Sequence, residues 1–401
     1  MNSNQDQGGP GSTSMIGLFT ENGPFKVVDG GMLERNPNSW NKHYSMVFID
    51  QPVGTGFSYV GNKTSKQVGR PNISSLLDEH LLTAKYAASK CSKDPFNPLD
   101  LKPEWIDGYC SNQAAVGHDV IVFLDRFYQE FPELLKSDLY LTGESYAGKY
   151  IPAIAHQIHT MNIRRPEKVI PLAGLGIGNG FTDPISQIQS HAPQALALGR
   201  IDKKAAGKVD SFAKVAVSAI CDGDYKLALS ARQSLFDVFS NASGGINMYD
   251  VRKANSAYNR SVMISFLKDE KTKSAINVGL DAIFGKDWNM FPPLELDIMK
   301  SSAEYFVPLL DAGYKVLLYQ GQFDFRDGVL SQTQWIERIG WKGQDGYLNA
   351  TRNPWFSDST LIGYSTEHAN LARVEMLNCG HLCPMDISFT GEMIEKFLIR
   401  S

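Results

Sequence analysis

The stretch Leu139-Tyr140-Leu141-Thr142-Gly143-Glu144-Ser145-Tyr146-Ala147-Gly148 reads as a buried strand that runs into a turn of small residues and then into a helix. The apolar residues 139–141 suit a strand, and residues 150–156 resume with helical spacing, so Ser145 falls at the sharp point between them. A serine held there has its Oγ lifted out of the sheet, and the backbone N–H groups at the helix start point toward negative charge formed beside it. The pattern differs from G-x-S-x-G in having Ala147 at the second small position and Gly148 just after it. Taken alone, such a turn serves plain packing equally well, so the rest of the chain decides.

Working outward, Leu172-Ala173-Gly174-Leu175-Gly176-Ile177-Gly178-Asn179-Gly180 is a second apolar strand ending in a turn, and strand, helix, strand at this spacing is a βαβ unit. Val116, Val120, Phe123, Phe127 and Phe131 recur at helical spacing and predict a helix over 114–135 that delivers the chain to the Ser145 strand. Downstream, 184–293 loses the strand signal and reads as amphipathic helices capping the strands' carboxyl ends. Strands resume at 314–320 and 372–377, ending in Gly321-Gln322-Phe323-Asp324 and in Asn378-Cys379-Gly380-His381, and a helix over 392–399 closes the chain.

Upstream, Gly8-Gly9-Pro10-Gly11 marks backbone that turns or approaches something closely. Met46-Val47-Phe48-Ile49 predicts a short strand feeding a second glycine-rich loop, Asp50 to Tyr59. Residues from about 60 to 111 turn polar and read as an inserted excursion with one helix at 76–89. The expected organisation is a first core part over 1–183, a helical cap over 184–300 and a second core part over 301–401.

A chain of 401 residues with 43% hydrophobic and 20% charged residues is ordinary for a globular protein with a large core. Its formal net charge of -4 and the lack of a long basic run argue against a nucleic-acid partner. No apolar run is long enough for a membrane span. The N-terminus is polar and lacks signal-peptide character, yet Asn62, Asn72, Asn241, Asn259 and Asn349 each open an N-x-Ser/Thr sequon in polar surroundings. Of the cysteines, Cys91 and Cys110 bracket a polar segment that a disulfide would close. Cys379 and Cys383 have the spacing of half a metal site, but no second pair stands near and His381 is wanted for other chemistry, so neither a metal nor a cofactor is expected.

Ser145, Asp324 and His381 each lie just past a predicted strand end, where ligands bind in open α/β sheets. Their order along the chain, Ser then Asp then His, is that of an α/β-hydrolase fold: a central, mostly parallel sheet with helices on both faces and a helical cap insertion. A serine hydroxyl needs a base, an imidazole needs its tautomer fixed, and a buried carboxylate fixes it. His381 is the expected base and Asp324 its orienter.

With Gly8–Gly11, 48–59 (FIDQPVGTGFSY), 143–148 (GESYAG), 176–180 (GIGNG) with Asp183-Pro184, 321–324 (GQFD) and 380–386 (GHLCPMD), the chain resembles the serine carboxypeptidases from Gly8 to Asp386. Gln7 before the glycines resembles the vitellogenic-like and some plant-type members, where asparagine is commoner. The resemblance implies release of one amino acid from a peptide C-terminus through an acyl-enzyme on Ser145. By the same matching, Gly9 and Tyr146 would supply oxyanion N–H groups, and Gln7, Gly8, Glu21 and Glu144 would hold the substrate carboxylate. Two glutamates facing an anion make sense if repulsion raises a pKa so that a shared proton donates a hydrogen bond, which predicts an acidic pH optimum. The alternative for Glu21 is a solvated loop acid.

The chain also departs from the family pattern. Polar residues 1–6 stand where the family has an apolar strand, from which an N-terminally truncated sequence is expected. Ser12 replaces a common cysteine, and Cys379 and Cys383 flank the base, either paired or exposed to oxidation. Competing readings are an acyltransferase of the same architecture and a catalytically silent binding or protective protein. Peptide or protein C-termini are the expected partners, with homodimerisation left open, and the expected location is vacuolar, lysosomal or secreted.

Overall fold

The structure, a computed structural model, describes residues 9–61, 97–254, 258, 260–285 and 291–400. Its centre is a mixed six-stranded sheet made of β1 (Leu139–Glu144), β2 (Leu172–Gly178), β3 (Lys315–Gly321), β4 (Arg352–Ser357), β5 (Thr360–His368) and β6 (Leu371–Met376), in the spatial order β1-β2-β3-β6-β5-β4. The pairings β1/β2, β2/β3 and β3/β6 are parallel, whereas β6/β5 and β5/β4 are antiparallel. The parallel half carries the strand ends of interest, and β5 and β4 extend the sheet as a meander.

Alternation along β3 shows how the sheet is buried on both faces. Val316 and Leu318 join one core with α1 (Gln113–Glu130), α2 (Ala147–Arg164), α3 (Pro184–Ala197), α4 (Lys203–Cys221) and α5 (Tyr225–Ser243). Leu317 and Tyr319 point the other way, into a second core with Trp40, Val374, Met376, Met393, Phe397 and Leu398. The helix boundaries follow local chemistry. Asn112 caps α1 by accepting from the Ala115 N–H at 2.9 Å, and Asp183 caps α3 from Ser186 ahead of a proline at the first turn. The helix expected over 114–135 ends at Glu130, because Pro132 lacks the N–H an α-helix needs, and a short 3-10 turn takes its place.

Two sequence expectations fail. Residues 46–49 form no strand: the Ile49 carbonyl accepts from the Ser14 hydroxyl instead, and the next carbonyl, Asp50, accepts from Ser58 Oγ at 2.7 Å. The segment is thus fastened by side chains rather than by a neighbouring strand. The Asp50 carboxylate adds to this by accepting from Ser14 N at 2.9 Å and Phe57 N at 3.0 Å, tying three parts of the N-terminal region together. The second failure concerns Cys110, which is a buried thiol whose Sγ donates to Asp119 Oδ2 at 3.4 Å rather than half of a disulfide. Cys91 and the helix expected at 76–89 lie outside the described residues, as does most of the polar excursion.

The segment that follows α5 is bonded to the loops after β3 and β6. Beyond α5, the Met248 carbonyl accepts from Phe325 N and Arg326 N, Val251 N donates to the Phe323 carbonyl at 3.0 Å, and the Tyr249 carbonyl accepts from His381 N at 2.7 Å.

Candidate active site

Ser145 has φ +61°, a left-handed conformation that a non-glycine residue adopts only where its surroundings enforce it. They do so through three bonds. Ser145 N donates to the Gly178 carbonyl at 3.0 Å, while its own carbonyl accepts from Gly148 N at 2.9 Å and Phe181 N at 2.8 Å. Asn179, also left-handed at φ +44°, then donates its backbone N–H to the Tyr319 carbonyl at 2.8 Å, so the ends of β1, β2 and β3 are laced together.

The small residues of the elbow are explained by distance. A Cβ on Gly143 would lie 2.6 Å from the Ala147 Cβ, and one on Gly148 would lie 2.7 Å from the Phe181 backbone nitrogen. The departure from G-x-S-x-G is therefore a displacement of the close approach: Ala147 fits above Gly143, and Gly148 lets α2 touch the turn after β2.

The structure brings Asp324 and His381 together. His381 Nδ1 and Asp324 Oδ2 are 2.7 Å apart, both residues fully buried. Asn179 Nδ2 donates to the same carboxylate oxygen at 2.8 Å, and Arg326 N donates to Oδ1 at 2.8 Å, with Asp327 N at 3.2 Å. These donors keep Asp324 oriented toward the imidazole. Burial works against an imidazolium at His381, but the Asp324 charge and hydrogen bond outweigh it, and the net shift of the pKa is upward. The opposite ring atom, Nε2, is buried and has no hydrogen-bond partner. Ser145 is buried as well, at 5% exposure.

The loop carrying His381 is fixed from several sides. The Tyr249 ring packs edge-on against the imidazole with centroids 5.0 Å apart. A disulfide joins Cys379 to Cys383 across Gly380-His381-Leu382. Asp386 accepts from Gly380 N at 2.9 Å and from Lys253 Nζ at 2.7 Å, and Arg252 Nη1 donates to the Asn378 carbonyl at 2.8 Å, which bolts the segment after α5 to this loop.

Glu21, at the end of a π-helical turn (Gly17–Glu21), is 3% exposed and hydrogen-bonded to the Glu144 carboxyl, which rules out the solvated loop acid. Burial pushes the Glu144 pKa well above the usual carboxylate range, and the charge and hydrogen bond of Glu21 push it further. Tyr319 Oη lies 3.4 Å from Glu144 Oε1. The pair therefore carries a proton where two isolated carboxylates would carry none.

The Tyr146 backbone N–H has no acceptor among the described residues. The Tyr146 hydroxyl donates to Asp297 Oδ2 at 3.2 Å, an oxygen that also accepts from Gln113 Nε2 at 2.6 Å. Gly9 is half-buried with φ +58°, and two residues on the Gly11 backbone acts on the buried Tyr150 hydroxyl of α2, so this loop runs beside the first turn of the elbow helix. Gln7 and Gly8 lie outside the described residues. A cavity of about 330 Å³ between the Ile49–Tyr59 loop and α1 is lined by none of Ser145, Asp324 or His381.

Sequence reasoning missed the parts that act from a distance. Asn179 carried a signal, being the one polar side chain in a Gly-Asn-Gly turn at a strand end. Asp386 was legible only as part of the 380–386 motif, and Tyr249 carried no signal, because its importance depends on what the segment after α5 brings over the strand ends.

Comparison with known proteins agrees with this geometry. The family described as Serine carboxypeptidase matches residues 7–399. The Venom serine carboxypeptidase of Apis mellifera is 31% identical over 389 residues, covering 95% of this chain and 73% of that protein. Serine carboxypeptidase-like 50 of Arabidopsis thaliana is 30% identical over 397 residues, covering 98% and 79%. Among solved structures, Kex1(delta)p of Saccharomyces cerevisiae, a prohormone-processing carboxypeptidase, superposes with a TM-score of 0.77 at 24% identity, over 97% of this chain and 81% of that one. That structural likeness establishes the fold.

Proposed function

We infer that the chain, which belongs to the serine carboxypeptidase family and is a serine-type peptidase of that kind, releases single C-terminal amino acids from peptides in acid, through an acyl-enzyme on Ser145. The observation that carries the finer reading is the hydrogen-bonded Glu21–Glu144 pair, one residue before the serine. A buried acid pair that retains a proton binds a carboxylate and rejects an uncharged chain, which restricts cleavage to the last peptide bond.

In this reading Ser145 Oγ attacks the last peptide carbonyl while His381 Nε2, the unpartnered ring atom, takes the hydroxyl proton. Asp324 holds the proton on Nδ1 and stabilises the imidazolium. The backbone N–H groups of Tyr146 and Gly9 receive the negative charge on the carbonyl oxygen. The peptide bond then breaks, the leaving amine takes its proton from His381, and the amino acid departs. Water, deprotonated by the same imidazole, releases the rest of the peptide from Ser145. The family resemblance assigns Gln7 and Gly8 to the same carboxylate-binding role as the glutamates.

Two titrations oppose each other. Binding needs the shared proton of the Glu pair, which is lost as pH rises through its raised pKa. Catalysis needs neutral His381, which is lost as pH falls through its own raised pKa. Activity is therefore bell-shaped, with its alkaline limb set by the Glu pair and its acid limb by His381, and the acidic optimum is what the family resemblance implies. The exposed sequon residues Asn241 and Asn349, with the Cys379–Cys383 disulfide, suit a vacuolar, lysosomal or extracellular setting.

The test is release of free amino acid from a blocked dipeptide between about pH 4 and 8 by the wild type and by Ser145→Ala. Release that needs Ser145 and is strongest in acid is expected. A folded chain that releases nothing, or that only transfers acyl groups to other acceptors, overturns the reading.

A further inference from the structure

The other flank of the elbow holds a guanidinium with nothing to bind. Arg232 on α5 is 6% exposed and stands over two aromatic rings, 4.5 Å from the Phe181 centroid and 4.7 Å from that of Phe236. Its Nε is fully enclosed without a partner, and none of its nitrogens has a carboxylate or carbonyl acceptor among the described residues. A cation is costly to bury without a counter-ion. Burial pushes its pKa down to about 9, helped by the nearby Arg326, so it remains charged throughout the acid range.

An acid that faces this charge from the strand ends is weakened in the same range. Asp327 is buried, its Oδ2 has no partner, and burial first, then the charge of Asp324, pushes its pKa up to about 6. Below that pH Asp327 no longer offsets the guanidinium, and the other charged groups of this flank, Lys149 and Asp297, meet at Tyr146 beside it. Arg326 adds positive charge from the cap side, its guanidinium standing 5.2 Å from the Phe236 centroid and 5.0 Å from that of Tyr249.

The site touches the reaction centre by short links. Phe181, on which Arg232 rests, donates its backbone N–H to the Ser145 carbonyl, and Tyr249, on which Arg326 rests, packs on His381. The Arg232 charge also acts on Tyr146, the residue after the serine. None of these is among the groups that act on the Glu144 carboxyl, which include Glu21, Tyr319 and Asp386. A peptide whose terminal carboxylate lies against the glutamates therefore sends its acyl side, beginning with the penultimate residue, toward Tyr146, Phe181 and Arg232.

We propose that Arg232, supported by Arg326, is a specificity-determining residue that receives an acidic penultimate side chain, so that the preferred substrates are peptides ending in Glu-X or Asp-X. The proposal rests on the carboxypeptidase reading above and names the substrate class of that site. The Phe181 and Phe236 rings hold the guanidinium in place, so a carboxylate entering beside it forms charge-assisted hydrogen bonds at little ordering cost.

The experiment compares kcat/KM for blocked dipeptides with penultimate Glu, Gln or Lys and a common C-terminal Leu, at about pH 5.5, where a Glu side chain is ionised. The wild type is expected to favour Glu over Gln by about tenfold or more, with Lys lowest. Arg232→Gln should bring the Glu-to-Gln ratio close to one, while Arg232→Lys keeps part of it. Equal rates on Glu and Gln in the wild type, or a ratio that survives in Arg232→Gln, overturn the proposal. Should Arg232→Gln fail to fold, the wild type still decides: its Glu preference must fade as pH falls below about 4, where the substrate side chain protonates, and a preference that persists there refutes the ionic contact. Absence of Ser145-dependent release from all three dipeptides sinks the carboxypeptidase reading itself, whereas release without preference sinks only this inference.

Discussion

Replacing Glu144 by Gln separates the proton of the acid pair from its shape. Glutamine has nearly the same outline, keeps a donor facing Glu21, and has no proton to lose. In the wild type, pH rising through the raised pKa of the pair strips the shared proton and leaves negative charges facing the substrate carboxylate. What is lost is a charge-assisted hydrogen bond, worth roughly 1.5–3 kcal/mol, which is about a ten- to hundredfold rise in KM. The KM of Glu144→Gln should therefore be nearly flat between about pH 5 and 8, while that of the wild type climbs. Stability gives an independent reading. A carboxyl whose folded pKa lies above its unfolded value contributes stability that is complete below the unfolded value and is lost as pH rises through the folded one. The variant, free of that loss, should melt above the wild type near neutral pH, with the gap closing toward about pH 4. Steady-state KM against pH and thermal melts at the same pH values are the assays. A variant whose KM climbs in parallel with the wild type, or a melting gap indifferent to pH, would refute the shared proton.

Asp324→Asn should lower kcat by about four orders of magnitude with little change in KM, because the amide no longer fixes the proton on His381 Nδ1; single-turnover rates at saturating dipeptide check this. Gly148→Ala puts a methyl group 2.7 Å from the Phe181 nitrogen and 2.8 Å from Thr182 Oγ1. The clash should cost about 1–3 kcal/mol and lower kcat as well, since the Phe181 N–H that it displaces holds Ser145; denaturant melts and kcat on one blocked dipeptide measure both.

The parts of this protein legible in its sequence are those fixed by local chemistry. β1, the elbow and α2 follow from one continuous stretch, since the apolar run, the small residues and the helical spacing are all read in place. Asp324 and His381 were readable because each lies within a few residues of a strand end, and a parallel sheet brings all such ends to one edge. Residues 46–49 show the limit: an apolar run becomes a strand only when a neighbouring strand accepts its hydrogen bonds, and here hydroxyls of Ser14 and Ser58 take that place. Cys110 shows another, as its spacing from Cys91 suggested a loop closure while its Sγ donates to Asp119 of α1. Glu21 was legible only through family resemblance, for nothing in its neighbourhood tells a buried acid from a solvated one. Arg232 lay beyond either route: on α5 it is one charged residue of an amphipathic helix, and only the aromatic rings of Phe181 and Phe236 beneath it, and the lack of a carboxylate, set it apart.

The two flanks of the elbow bind the same chemical group by different physics, and this gives the site a selectivity that neither has alone. The glutamate pair accepts a carboxylate only while it holds its own proton, so its affinity falls with rising pH. Arg232 is charged at every pH in question, so its affinity for a penultimate carboxylate is set by the ionisation of the substrate and rises with pH above about 4. Asp327 sharpens the contrast, because near pH 6 it regains a charge and begins to compete for the guanidinium. A dipeptide with a neutral penultimate residue feels only the first dependence, and its kcat/KM follows the Glu pair and His381 alone. One with a penultimate Glu feels both, so its optimum is narrower, bounded below by its own protonation and above by the loss of the shared proton and the return of Asp327. The difference between the two pH profiles, rather than either profile itself, isolates the contribution of Arg232.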